Sequence, residues 1–357
     1  MKTSRWRPWS RWAAPRSSAC SARAEPCGHR SRRVGWPPGS CPGSAACFGC
    51  VVRGGALTTC DATLALRQGS SARLPATLLA THRICESALP AAGGLRGSSD
   101  KEGREVIRRI HHVGIVVKRL TDAYVFYRDV LGLPLLREAE IAEQGVKAAL
   151  LAAGDSEIEL LEPLGADTPV GRFLAKRGEG LHHLCFETPD VAGSLAGLDT
   201  RGVELLDRTP RAGLAGRIGF LHPRACSGVL VELATPPVPH DEQPSPLRLK
   251  RLVIGADDVK KTVGVYQDLF GLQEVAMNGG PRTMLAVGRG ALLVVPAHEV
   301  GGTEGLVALS CVAEDFFALT AALRKAGTPR LDGTGEVTVE PAGSHGVHLH
   351  ISRYMFP

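Results

Sequence analysis

The feature that most constrains this chain is an order of elements that occurs four times. From residue 107 an apolar strand is followed by a helix and then by two or three more strands, and the order begins again. The first copy reads as a strand over 110–117, a helix near 121–131 and strands over 145–152 and 157–161. Thr121 or Asp122 can cap its helix, Ala123, Tyr127 and Val130 can be buried, and Gly132 stops it. The second copy has a strand over 181–187 and a helix that Asp190 caps and Gly202 ends, with strands near 203–206, 217–221 and 228–233. A third begins at 249–256, with Asp257 and Asp258 before a helix ending at Gly271. A fourth begins at 306–312, with Asp315 before a helix ending at Gly327, and closes over 346–352. The copies echo one another in letters as well as in order. Tyr127-Arg-Asp-Val-Leu-Gly-Leu133 parallels Tyr266-Gln-Asp-Leu-Phe-Gly-Leu272, and Gly180-Leu-His-His-Leu-Cys185 aligns with Gly305-Leu-Val-Ala-Leu-Ser310.

One such unit leaves a sheet face bare, whereas two placed side by side can curl around a shared cleft. The pattern therefore predicts an α+β fold of tandem βαβββ units paired into two modules, 105–236 and 248–357. The stretch 237–247, with Pro237, Pro239, Pro244 and Pro246, reads as the linker.

Charge separates the first hundred residues from the rest. Residues 1–99 carry 14 Lys/Arg against 3 Asp/Glu, a balance of +11, and the remainder carries 28 against 33, a balance of −5. The whole-chain charge of +6 is thus no sign of a nucleic-acid partner, and no aromatic-basic interleaving supports one. Residues 1–104 are rich in Arg, Ser, Ala, Gly and Pro without a sustained period, and are expected to be a disordered basic extension. Their acid-poor, Arg/Ser-rich composition also fits a targeting leader, although Pro15, Pro26, Pro37 and Pro38 would interrupt an amphipathic helix. Cys47 and Cys50 have zinc-type spacing but lack a second pair. Cys185, Cys226 and Cys311 are too scattered for a disulfide framework, which fits a reducing compartment. The expected location is the cytoplasm, or the mitochondrial matrix if residues 1–99 are a transit segment. No stretch approaches the roughly 20 apolar residues that a membrane span needs.

Metal-capable residues recur with the units. His112 lies early and Glu159 late in the first, and His183 and Glu232 take the same places in the second, 47 and 49 residues apart. Singly, a strand histidine is a core or surface residue and a strand glutamate faces solvent. Four in repeat-equivalent positions instead converge on one cleft if the units pair by a pseudo-twofold. Two imidazoles and two carboxylates suit a borderline divalent ion such as Co²⁺, Mn²⁺, Ni²⁺ or Zn²⁺. By strand alternation His111 and His182 are expected on the opposite face, as non-ligands. The second module reads Arg251, about Leu292, Ala308 and His350 at the corresponding positions and is not expected to bind this ion. Its His345, His348 and His350 read as a polar strand edge. Its expected role is to cover the first module as an intrachain substitute for a second subunit, giving a monomer with an internal pseudo-dimer, or a homodimer.

The runs His111-His-Val-Gly-Ile-Val-Val117, Glu143-Gln-Gly-Val146 and Glu157-Ile-Glu-Leu-Leu-Glu-Pro-Leu164 resemble the methylmalonyl-CoA epimerase family of vicinal-oxygen-chelate enzymes. So do Phe173-Leu-Ala-Lys-Arg-Gly-Glu-Gly-Leu-His-His183, Phe220-Leu-His-Pro223 and Gly228-Val-Leu-Val-Glu-Leu233. The resemblance covers about 107–235. It implies two vicinal-oxygen-chelate modules, metal ligands at His112, Glu159, His183 and Glu232, and epimerisation of an acyl-CoA thioester without a redox cofactor. Where some members carry a second glutamate this chain has Ala148. Glu232 is then the candidate base for one face of the substrate and Glu143 for the other, with Lys147 nearby. Lys176 and Arg177 can meet CoA phosphates or simply be surface charge. Other functions stay open: another enzyme of the superfamily, such as a lactoylglutathione lyase or an extradiol dioxygenase, or a non-catalytic binding protein.

Overall fold

Two of the four units share each sheet. The computed structural model describes residues 106–238, 242–275 and 281–354, so the basic extension and its cysteines lie outside the described residues. Unit one comprises β1 (Arg109–Val116), α1 (Leu120–Tyr124), β2 (Leu135–Ile141), β3 (Val146–Ala153) and β4 (Ser156–Pro163). A connecting helix, α2 (Pro169–Arg177), leads to unit two: β5 (Gly180–Glu187), α3 (Val191–Thr200), β6 (Arg211–Gly213), β7 (Gly216–Leu221) and β8 (Leu230–Thr235). Unit three holds β9 (Leu247–Ala256), α4 (Val259–Phe270), β10 (Gln273–Val275), β11 (Thr283–Val287) and β12 (Gly290–Pro296). Unit four holds β13 (Gly305–Ala313), α5 (Phe316–Lys325), β14 (Arg330–Asp332), β15 (Glu336–Val339) and β16 (His348–Ser352).

The first sheet runs β2-β3-β4-β1-β5-β8-β7-β6 and the second β10-β11-β12-β9-β13-β16-β15-β14. In each, the first strands of the two units pair antiparallel at the centre and each is flanked by its own unit's last strand in parallel. The arrangement reads alike from both ends, so each module carries an internal pseudo-twofold at its central seam.

Local sequence explains the helix starts. Asp190, Asp258 and Asp315 cap α3, α4 and α5 by accepting from Ala192, Lys261 and Ala318 N–H groups, a standard way to satisfy a helix's first donors. Neither Thr121 nor Asp122 caps α1. It begins one residue earlier, behind Arg119, and the Leu120 N–H donates instead to the Glu162 carboxylate, 2.6 Å away on β4. Asp122 pairs with Arg119, and from Val125 to Val130 the helix continues as a π-helical turn. The strand expected near 203–206 is only an isolated bridge between Leu205 and Leu221, and β6 forms further on.

The two modules share one apolar core, which runs from Ile110 and Tyr127 to Tyr266 and Ile351. Tyr127 and Tyr266, matching positions of the repeated heptapeptide, make matching bonds across it. Tyr127 Oη donates to the Ser344 carbonyl at 2.9 Å and Tyr266 Oη to the Cys226 carbonyl at 3.3 Å. The two acceptors sit in equivalent turns, each followed by a non-glycine residue with positive φ, Ser227 at 51° and His345 at 53°. Tyr127→Phe and Tyr266→Phe are each expected to lower stability by about 1 kcal/mol, because each removes a buried hydrogen bond and leaves the carbonyl only its turn N–H, from Val347 or Val229. Urea unfolding of the two variants checks this.

Candidate metal centre

The strand register sets the four candidate ligands in two symmetric rows. Across β1, β5 and β8, His112 lies beside Cys185, and Cys185 beside Glu232. Across β5, β1 and β4, His183 lies beside Gly114, and Gly114 beside Glu159. All four ligand candidates are buried. His112 Nε2 is 2.9 Å from His183 Nε2. Glu159 Oε2 stands 3.4 and 3.3 Å from the two imidazoles, and Glu232 Oε2 stands 3.6 and 3.1 Å from them. Donors about 2.1 Å from a common ion, at angles between octahedral and tetrahedral, lie roughly 3.0–3.4 Å apart, so this donor set fits a divalent ion. His112, His183 and Glu232 form a mutually close group, and Glu159 approaches the same two imidazoles from unit one.

Gly114 is part of the design. A Cβ built there would lie 2.1 Å from His183 Cε1, so the ring occupies the space that any side chain would take. Phe220 packs its ring edge against His183, at 5.5 Å between centroids, and holds the imidazole from the far side.

His111 and His182 depart from expectation. The β1–β5 register slips between Ile110 and His112 and again between Gly114 and Ile115, opposite His183 and Leu181, so each His-His pair sits at a bulge. A bulge cancels the alternation that would send adjacent side chains to opposite faces. His111 Nδ1 lies 3.0 Å from His112 Nδ1, and His182 Nδ1 lies 3.0 Å from His183 Nδ1. His182 lines the cleft, and burial, then the neighbouring His183, pushes its pKa down to about 3.

The cleft above these residues has a volume of about 270 Å³, with Glu159, His183 and Glu232 at its floor and Val146, Ala148, Leu161, Ile218 and Leu230 among its walls. Glu143 stands in its lining on the turn Ala142–Gln144, beside Gln144, whose amide donates to the Ala212 carbonyl of unit two at 2.8 Å. Ala148 is fully buried in an apolar group with Val116 and Leu161. Lys147 pairs with Glu138 at 2.8 Å. Pro169 and Val170 of α2 wall the cleft, and Lys176 and Arg177 lie in that helix's last turn, the Arg177 guanidinium over Phe173. The ion pair of Asp207 and Arg211, at 3.2 Å, also lines the cleft, and no spacing in the sequence marks it.

Electrostatics follow from burial and proximity. Burial opposes the charge on His112, but Cys185, Glu159 and Glu232 outweigh it and raise its pKa; Glu159 and Glu232 do the same for His183 against burial. Burial likewise opposes the two carboxylates' charge, and His112 and His183 outweigh it and hold both glutamates low. A raised imidazole contributes stability that is full at low pH and is lost as pH rises through its folded value. A depressed carboxylate contributes stability that is present above its ordinary value and is lost as pH falls through its folded value. The ion-free chain should therefore gain most from this cluster between the ordinary values of 4.5 and 6.5. Because an ion must displace the imidazole protons, the thermal shift caused by added Co²⁺ is expected to grow between about pH 5 and pH 8. Melting curves with and without Co²⁺ across that range test both signs.

In the second sheet, register places Arg251 at the counterpart of His112, Ala308 at that of His183 and His350 at that of Glu232. The counterpart of Glu159 is Leu293, one residue beyond the position read from the sequence. This set offers one imidazole and no carboxylate.

The fold and the site together define a class. Residues 111–220 match the glyoxalase/bleomycin resistance protein/dioxygenase superfamily. Within it, the chain belongs to the methylmalonyl-CoA epimerase family and is an enzyme of that family. It is 38% identical to the mitochondrial methylmalonyl-CoA epimerase of Mus musculus over 127 residues, 35% of this chain and 71% of the mouse protein. It is 45% identical to the uncharacterized protein YqjC of Bacillus subtilis over 131 residues, 36% of this chain and 94% of that one. A solved triple mutant of 4-hydroxymandelate synthase from Streptomyces coelicolor shares the fold at 16% identity, with a TM-score of 0.53 over 69% of this chain and 92% of the other. Among the described residues no helix is long and apolar enough to cross a membrane.

Proposed function

We propose that residues 105–236 form a metal-dependent epimerase that interconverts (R)- and (S)-methylmalonyl-CoA. In this reading 237–247 is a linker, and 248–357 is a non-catalytic module that covers the first as a second subunit would. What carries the proposal is the meeting of two imidazoles and two carboxylates from repeat-equivalent positions, with His112 2.9 Å from His183, which stands with Glu159 and Glu232 at the floor of a cleft. His112, Glu159, His183 and Glu232 hold a divalent ion of the Co²⁺, Mn²⁺, Ni²⁺ or Zn²⁺ class. When bound, such an ion supplies Lewis-acid polarisation of the substrate's thioester and carboxylate oxygens, worth several kcal/mol to an enolate.

The chain's own groups move the protons. Glu232 takes the α-proton on one face of the substrate, and Glu143, in the cleft lining, serves the other face. Ala148 belongs to the apolar wall of the cleft. The cleft of about 270 Å³ admits the acyl head, and the CoA arm lies outside it, within reach of Lys176 and Arg177.

Exchange of the substrate α-hydrogen in deuterium oxide tests the reading. Ion-dependent exchange with conversion of one epimer into the other is expected. Glu143→Gln is expected to slow conversion by about 10²–10⁴-fold while exchange of one epimer persists, since only one face loses its proton carrier. Bound substrate with no ion-dependent exchange would instead make the module a binding protein.

A further inference from the structure

The internal pseudo-twofold of the first sheet generates two equivalent ends around the ligand cluster, and they are filled differently. At one end Leu230, which pairs with His183 across β5 and β8, lines the open cleft beside His182. At the other end the equivalent residue is Glu157, which pairs with His112 across β1 and β4 and is buried. His111 Nδ1 meets both His112 Nδ1, at 3.0 Å, and Glu157 Oε2, at 2.9 Å. Arg109 lies behind Glu157 at 3.7 Å and is held in turn by Glu187 at 2.7 Å. His182 has no such backing among the described residues: its ring meets the edge of Phe173, at 4.8 Å between centroids, and no carboxylate pairs with it.

Resting on the proposed ion site, we infer that His111 and Glu157 are a positioning pair that orients His112 and strengthens it as a ligand, so that the two imidazole ligands are unequal. The buried contacts of His111 with His112 and with Glu157, and of Glu157 with Arg109, hold the His112 ring by its Nδ1 edge and turn its Nε2 edge to His183, Glu159 and Glu232. Outer partners of this kind fix the tautomer and orientation of a metal-bound histidine and raise its basicity. The bulge at His111 serves this purpose: without it, alternation would carry His111 to the helix-covered face, away from His112. In unit two the same bulge presents His182 to the cleft, where Leu230 leaves room for substrate.

The test uses the full chain titrated with Co²⁺ against a competing chelator, with the visible absorption of the bound ion recorded. Glu157→Gln and His111→Asn are each expected to weaken Co²⁺ binding by about 10–100-fold and to shift its absorption bands. Glu187→Gln, which also removes a carboxylate from Arg109 but touches neither histidine, is expected to change the affinity less than about threefold and to leave the spectrum unmoved. Reading two variants keeps the test decisive should one fail to fold. Wild-type affinity and spectrum in either folded variant, or an equal loss in Glu187→Gln, overturns the inference. Failure of the wild-type chain itself to bind Co²⁺ overturns the site, and is told apart because no band then appears at all.

Discussion

Gly114→Ala is expected to abolish ion binding and turnover while the chain still folds. The added methyl would sit 2.1 Å from His183 Cε1 and 2.3 Å from Nδ1, so the ring must leave. It has little freedom to do so gradually, because Phe220 stands against it on one side and His182 holds its Nδ1 edge. Overpacking of a core by one methyl costs about 1–3 kcal/mol, which a domain of this size can bear. The loss of a ligand is not graded in that way. Without His183 the cluster keeps one imidazole and two carboxylates that no longer share a second cation. Metal content after dialysis, together with the melting temperature, distinguishes a folded chain with a lost site from an unfolded one. Retention of one ion per chain in Gly114→Ala would show that His183 is not a ligand.

Glu232→Gln is expected to lower turnover by about 10³–10⁴-fold with little change in KM. The substitution keeps the shape of the side chain and removes one charge from a site in which the carboxylate serves twice, as ligand and as proton acceptor. Glu159→Gln separates the two roles, since Glu159 stands at similar distances from both imidazoles but is given no proton to carry. It should weaken the ion's hold and leave most of the rate at saturating Co²⁺. Equal losses in the two variants at saturating ion would remove Glu232 from the proton-transfer step.

Much of this was legible because the chain repeats. The fourfold order of elements and the Tyr127 and Tyr266 heptapeptides point to paired units, and the paired spacing of His112 with Glu159 and His183 with Glu232 points to a shared centre. What stayed hidden depends on register and on contacts distant in sequence. Alternation sends His111 and His182 to the wrong face, because a bulge is a mismatch between two strands and neither strand shows it alone. The cap of α1 comes from Glu162, 42 residues away, so the nearby Thr121 and Asp122 mislead. The short strands β10 and β14 have three residues each, too few for a period. The helix α2 did carry a local signal, Thr168 before Pro169, with the threonine Oγ1 accepting from the Gly171 N–H at 3.0 Å. The ion pair of Asp207 and Arg211 in the cleft wall has no pattern that could announce it.

The most direct measurement is the stoichiometry of Co²⁺ on the full chain by equilibrium dialysis, repeated for His112→Ala and His183→Ala. One ion per chain, lost in both variants, is the result expected if the two half-modules hold a single cation between them. Two ions per chain, or one ion that survives either substitution, would contradict it.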